Sequence, residues 1–481
     1  MQPWLRLLVL LAFAGCSDTA SVPASQKAKR PRRAPTVESA FTHLVAKDTE
    51  YYVDVPQQAS PPDGRFKAGT QVRRIQASPQ YWLVQDAAGN RVHVEPRNLT
   101  DLPPELKVAQ ASNQFAVDLY LQLADSEPGN VFFSPISIST SLAMVHAGAG
   151  GETKTEIAKS LHLAFPEDDV HAGFADLAEN FQTAGEAELY AANRLWGQEG
   201  YSFNAEFLEL TSDKYGAELG QVDFARPAEA SRQISSWIEQ QTRSRIRGSA
   251  LSLRADTILV LTSAVYFKAR WFNEFGPRAT RKAPFHLDKR RQTTVPLMTQ
   301  LSGFAYRKVD GVQILELAYR LQERPYEKGP FSMVLFLPEE RDGLDDLEAK
   351  LSLHTLDNWL TGLRNELVKV VIPKFTLETQ MDMNAPLASL GVTRAFRPGD
   401  ADFSGISGRE PGKDPLYITS AVHKTMLDVN EAGTEAAATT EWAVGASDEP
   451  ILFQADHPFL FLIRDNRTGV FLFLGRFVTP G

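Results

Sequence analysis

Two uninterrupted apolar runs near the end of the chain, Pro458-Phe-Leu-Phe-Leu-Ile463 and Gly469-Val-Phe-Leu-Phe-Leu474, flank the polar turn Arg464-Asp-Asn-Arg-Thr-Gly469. Successive residues of a strand point to opposite faces. A strand that is apolar at every position therefore needs cover on both faces, and two such strands joined by a short turn predict a hairpin inside a core. The runs at 257–267 (Thr-Ile-Leu-Val-Leu-Thr-Ser-Ala-Val-Tyr-Phe) and 331–338 (Phe-Ser-Met-Val-Leu-Phe-Leu-Pro) carry the same signature. Helix signals come earlier. Ser134-Pro135 supplies a cap and a first-turn proline for a helix that stops at Gly148, and Thr153-Lys-Thr-Glu156 reads as a capping box for the next. From about residue 108 to the end the pattern is α+β, with helices first and segregated antiparallel sheets later.

Composition narrows the function. With 481 residues and 43% hydrophobic content, the chain supports a large core and more than one domain. Fifty basic residues against 59 acidic give a net charge of −9, which argues against nucleic acid as the main partner. The nine histidines form no His-Glu-x-x-His, and a single cysteine excludes a disulfide framework and a thiolate metal cluster. Phe403-Ser-Gly-Ile-Ser-Gly lacks the flanks of a nucleophile elbow, and Gly148-Ala-Gly-Gly follows a helix rather than a strand, so it ends one helix and starts another. No enzyme, cofactor or metal site is expected.

That lone cysteine, Cys16, closes a signal-like segment: Arg6, the apolar run 7–14, then Phe13-Ala-Gly-Cys16. The last four residues resemble the bacterial lipobox, which implies a signal peptide over 1–15 and lipid on Cys16. The lipid would hold the protein on the cell envelope, at the outer membrane or the extracellular face. Residues 16–45, rich in Ser, Ala, Pro and Lys/Arg, read as a disordered tether. Residues 46–102 bring short alternating runs with Gly and Asp/Asn turns, which suggests a small all-β barrel. This stretch resembles bacterial SH3-like domains, either a wall- or peptide-binding module or a spacer. Pro103-Pro104 marks its end.

Several segments of 108–481 resemble the serpin family in the family's own order: Asn130-Val-Phe-Phe-Ser-Pro-Ile-Ser-Ile-Ser139, Ser263-Ala-Val-Tyr-Phe-Lys-Ala-Arg-Trp271, Ile372-Pro-Lys-Phe375 and Ala401-Asp-Phe-Ser-Gly-Ile-Ser407. Val422-His-Lys-Thr-Met-Leu-Asp-Val-Asn-Glu-Ala-Gly433 resembles the strand and hinge ahead of the serpin reactive loop, and His457-Pro-Phe-Leu-Phe-Leu-Ile463 the C-terminal strands. The resemblance implies a serpin fold with three antiparallel or mixed sheets and an exposed reactive loop. It implies an inhibitor of serine proteases that acts as a suicide substrate: the loop is cut, an acyl-enzyme forms, and the hinge enters the main sheet as a new strand. Hinge residues carried over are Glu431, Gly433, Thr434, Glu435, Ala436, Ala437 and Ala438. Ser134, Ser263 and His423 would form a buried polar cluster beneath the opening sheet, with Trp271 at its top. Ser263 stands where the family usually has Asn. A non-inhibitory binding or scaffold lipoprotein of the same fold, and adhesion through 46–102, are the other readings open to the chain.

Counting seventeen residues from Glu431, as the family does, sets the bait bond at Ser447–Asp448, with Ala446 or Val444 as alternative bait residues. The residues ahead of the bond are small, and no Arg or Lys occurs between Glu431 and Gln454. A shallow pocket of elastase or subtilisin type suits that bait better than a trypsin-like one.

Overall fold

The computed structural model describes residues 41–480 apart from 57–60, 184–187, 249–250, 322–323, 325, 411–412, 414–415 and 434–448. Cys16 and the bait residues Val444, Ala446, Ser447 and Asp448 lie outside the described residues, as do hinge positions Thr434 to Ala438. Among the described residues no helix is long and apolar enough to cross a membrane.

The first described module is all β. Five strands pair in the order Arg91–Val94, Trp82–Gln85, Gln71–Gln76, His43–Val45 and Leu99–Asp101. Thr49–Tyr51 and Gly64–Phe66 form a separate ribbon, which a bridge from Tyr52 to His93 ties back to the sheet. The strands start at His43, inside the stretch expected to be tether. Alternation puts Val72, Val84, Val92 and Val94 on one face, where they close a small core with Val45 and Phe66. Pro103 is extended, and Pro104 opens the helix Pro104–Ser126, where a missing N–H costs nothing.

Beyond it the C-terminal hairpin forms as expected: Phe459–Asp465 pairs antiparallel with Phe471–Phe477, and every residue of both except Arg464 is buried. The hairpin lies inside a nine-stranded sheet ordered Ile451–Gln454, Arg364–Pro373, Gln292–Val309, Val312–Arg320, Lys328–Pro338, Phe459–Asp465, Phe471–Phe477 and Val131–Phe133, with Arg281–His286 added beside Gln292–Val309. Three sheets were expected for the main domain, and among the described residues two are found. The physical reason is Gln292–Val309, an unbroken strand of 18 residues that carries one ladder into the next.

The second sheet has five strands: Gly220–Val222, Glu188–Gln198, Leu259–Lys268, Ile418–Val429 and Phe375–Asp382. Its central strand, Leu259–Lys268, is buried at all positions but the last. Val260, Ala264 and Tyr266 pack towards Ile234 and Ile238 of the helix Pro227–Gln241. Val265 and Phe267 turn the other way, into the large core that includes Ile136 and Phe473. Both faces are covered, which is why this strand reads as a continuous apolar run.

The helix Pro135–Ala147 follows Ser134 and stops before Gly148, as the sequence signals, but the Ser134 side chain makes no capping hydrogen bond. The capping box does not form. The next helix starts earlier, at Gly151, and Glu156 accepts hydrogen bonds from the backbone N–H groups of Thr393 and Arg394 at 2.7 and 2.8 Å. Thr153 Oγ1 accepts from the N–H of Asp402. Both residues are engaged by the distant segment 393–402, and that tertiary demand overrides the local one.

Candidate functional site: seam, polar cluster and hinge

Of the four junctions of the five-stranded sheet two are antiparallel, and one parallel junction, Gly220–Val222 with Glu188–Gln198, lies at the sheet margin. The junction of Leu259–Lys268 with Ile418–Val429 differs: it is parallel, and it is central. The seam runs from Leu259↔Ile418 to Tyr266↔Met426 and then stops. Contact between the two segments resumes only at the top, where Trp271 donates its backbone N–H to Ala432 O at 3.0 Å and Arg270 bridges Gly433. The ladder is therefore open between Tyr266 and Arg270. A chain that leaves Val429 and doubles back runs antiparallel to both seam strands, so it could pair with each of them.

A chain of hydrogen bonds lies under the seam. The backbone N–H of Ser134 donates to His423 Nε2 at 2.9 Å, so the ring proton sits on Nδ1 and is donated to Ser263 Oγ at 2.9 Å. The Ser263 hydroxyl then donates to Ser137 Oγ at 2.8 Å, and the Ser137 hydroxyl to Asn193 Oδ1 at 2.5 Å. His423 has no exposed surface, and burial pushes its pKa down to about 3, with its contact to Ser263 acting weakly the other way. The ring is neutral.

The structure brings Ser263 and His423 together as expected but corrects the role of Ser134. Its hydroxyl finds no hydrogen-bond partner among the described residues, and it serves through its backbone N–H. The working hydroxyl is Ser137, one helical turn further on. Asn193, directly opposite Ser263 on the neighbouring strand, supplies the amide. The shortened side chain at 263 is thus bridged by a serine to an asparagine one strand away. Ser137 was legible as the next turn of Ser134-Pro-Ile-Ser137; Asn193 carries no local signal. Ser134, Ser137 and Asn193 also line a cavity of about 300 Å³ that includes Phe174 and Leu177.

Trp271 holds the top of the seam, as expected. Its ring stacks on Tyr319 with centroids 4.5 Å apart, and its Nε1–H donates to Asn430 O at 3.0 Å. Asn430 and Gly433 close a tight turn by exchanging backbone hydrogen bonds. Gly433 has φ +130°, and a Cβ there would sit 2.3 Å from Ala269 O, so no other residue fits without movement. Glu431 is tied down as well, by Lys374 Nζ and Thr280 Oγ1, both at 2.9 Å. Burial opposes its charge, but these bonds prevail and hold the carboxyl below its usual range. Beside the turn, Glu274 lies between Arg270 and Arg320 at 3.2 and 3.3 Å. Lys374, Thr280 and this buried charge triad were not foreseen. They are distant in sequence and converge only where the seam meets the hinge.

Residues 110–480 match the model of the family Serpin (serine protease inhibitor). The leukocyte elastase inhibitor of Bos taurus is 41% identical over 389 residues, which cover 78% of this chain and 100% of that protein. An uncharacterized serpin-like protein of Thermococcus kodakarensis is 40% identical over 78% of this chain and 86% of its own length. Among solved structures, a tumour suppressing serpin covers 78% of the chain at 31% identity and a TM-score of 0.69. Human thyroxine-binding globulin covers the same share at 30% identity and a TM-score of 0.70. The chain belongs to the serpin family, the serine protease inhibitors, over residues 110–480.

Proposed function

We propose that this serpin inhibits an elastase- or subtilisin-like serine protease as a suicide substrate, offering Ser447–Asp448 as the bait bond. One observation carries the mechanism: the parallel seam is continuous in sequence with the hinge and open at its upper end. The protease serine attacks the carbonyl of Ser447, the Asp448 amine leaves, and the acyl-enzyme remains attached to the loop. The segment from Thr434 then threads down the seam and drags the protease with it. By strand alternation Thr434, Ala436, Ala438 and Thr440 face inwards and Glu435, Ala437, Thr439 and Glu441 outwards. Small inward side chains ease entry. Trp442 is the first bulky one and limits how easily the lower seam fills. The elastase-like class is supported by the small bait residues and by relatives named leukocyte elastase inhibitors.

The test is incubation with a pancreatic-type elastase, subtilisin and trypsin. The expected result is an SDS-resistant complex with one of the first two, and a released fragment that starts at Asp448. Cleavage with full recovery of protease activity, or rapid inhibition of trypsin, refutes the proposal. A binding or scaffold role would then take its place.

Two features belong to the same proposal. Cys16 carries the lipid anchor, which places the inhibitor on a bacterial cell envelope, and residues 46–102 act as an SH3-like module towards cell wall or peptide. The alternating strands and the small valine core between His43 and Asp101 support such a module.

A further inference from the structure

We propose that the cavity bounded by the helices Pro135–Ala147 and Glu167–Thr183 and the strand Glu188–Gln198 binds a neutral bicyclic aromatic molecule, whose single N–H or O–H group is held by Ser134. The site goes beyond protease inhibition and does not depend on it.

Two periodic rows line the cavity. Phe174, Leu177, Ala178 and Phe181 recur at helical spacing and form one stripe of Glu167–Thr183. Leu189, Ala191 and Asn193 alternate along Glu188–Gln198 and share one face of it. Ile136 and Val265 complete the apolar wall, and both belong to the same buried core as Phe174 and Leu177. Such interiors are close-packed, with few voids larger than a water molecule. This cavity has about 300 Å³, and an apolar cavity of about half that volume holds benzene. Two fused rings therefore fit. Ala191 and Gln241, both exposed, stand at its margin and give a path from solvent.

The wall chemistry selects the occupant. Among the described residues no Asp, Glu, Lys, Arg or His lines the cavity. An ion that entered would lose its hydration and meet no counter-charge, so the ligand is neutral. Several polar side chains of the wall are already committed. Thr140 Oγ1 donates to Ile136 O at 2.8 Å, the Tyr215 hydroxyl bonds His171 Nδ1 at 2.7 Å, and Ser137 is held in the relay to Asn193. Ser134 differs. It is 1% exposed, and its hydroxyl has no hydrogen-bond partner among the described residues. A buried polar group left in that state costs free energy, which a ligand N–H or O–H donated to Ser134 Oγ would recover. The anchor is also fixed in place, because the Ser134 backbone N–H is tied to His423 Nε2 and Pro135 follows at once. One end of the ligand is polar and the rest is apolar.

The experiment titrates the full-length protein with indole by calorimetry and follows its melting temperature. N-methylindole, which keeps the rings and loses the donor, and the anion indoleacetate are titrated beside it. Wild type is expected to bind one indole per chain with a dissociation constant below about 1 mM, and to melt higher as indole is added. N-methylindole should bind about fivefold more weakly, the worth of one hydrogen bond, and indoleacetate should not bind. Ser134→Ala removes only an unpartnered hydroxyl, so the fold is kept; in that variant indole and N-methylindole should bind alike. Ala178→Phe puts a ring into the cavity and should abolish binding of both. Failure of indole to saturate wild type overturns the site. So does full binding by Ala178→Phe, which places indole elsewhere. An undiminished preference for indole over N-methylindole in Ser134→Ala overturns the assignment of Ser134. Indoleacetate that binds as well as indole overturns the neutral class of ligand.

Discussion

His423 concentrates the energetics of the seam in one ring. Neutral and fully buried, it takes a hydrogen bond from Ser134 and passes one to Ser263, so both seam strands and the helix behind them are joined through it. Protonation would place a charge on Nε2, where an N–H already points, with no exposed surface to relieve it. The linkage sign follows. In the unfolded chain the imidazole titrates near its ordinary 6.5, in the fold near 3, so between those values the unfolded state binds more protons. Stability therefore falls as the pH drops from 6.5 towards 3. His146, pushed down to about 4 by burial, acts in the same direction. His423→Gln keeps an acceptor and a donor but does not titrate. Its melting temperature is expected to be lower than wild type at pH 7 and to decline less steeply between pH 6.5 and 4. Parallel declines in a pH series of thermal melts would remove His423 from the acid response. Gly433 makes a second point at this scale. Gly433→Ala forces a Cβ against Ala269 O in the intact protein, at about 1–3 kcal/mol of strain. An inserted hinge would be extended, and there alanine fits. The variant should lower the melting temperature of the intact protein and leave that of the cleaved protein unchanged; equal losses in both forms would contradict the turn's role.

At the scale of elements, the parallel seam is the weak line of the five-stranded sheet. Parallel pairing is slightly less stable per residue than antiparallel pairing, and here the ladder ends at Tyr266↔Met426. An inserted strand replaces one parallel junction with two antiparallel ones. Cutting the loop near Ser447 should therefore raise the melting temperature well above that of the intact protein. Equal melting temperatures before and after cleavage would show that no strand is gained. Thr434→Arg is expected to suppress the rise and to turn the inhibitor into a substrate, because the first inward position cannot accept an unpaired charge. Apolar runs and the helix signals at Ser134-Pro135 were legible in the sequence, since burial on both faces leaves a mark on every residue. Cross-chain duties leave no such mark. Thr153 and Glu156 look like a capping box until segment 393–402 claims them, and Asn193 joins the cluster only because register sets it opposite Ser263. The 18-residue strand that merges two expected sheets is likewise continuous only in space: Gly303 in its middle would normally suggest a break.

At the scale of the whole molecule, the proposed lipid on Cys16 would set how far the inhibitor stands from a membrane. The described fold begins at residue 41, so a lipid on Cys16 would leave about 25 residues of tether. The tether is basic, with Lys-Arg-Pro-Arg-Arg at 29–33, whereas the chain as a whole carries −9. A Cys16→Ala variant expressed in a bacterial host should leave the membrane fraction and be recovered soluble, with its inhibition rate in solution unchanged. If that variant stays membrane-bound after a salt wash, the anchor is not the lipid. If it is soluble but inhibits more slowly, the tether does more than hold the protein in place.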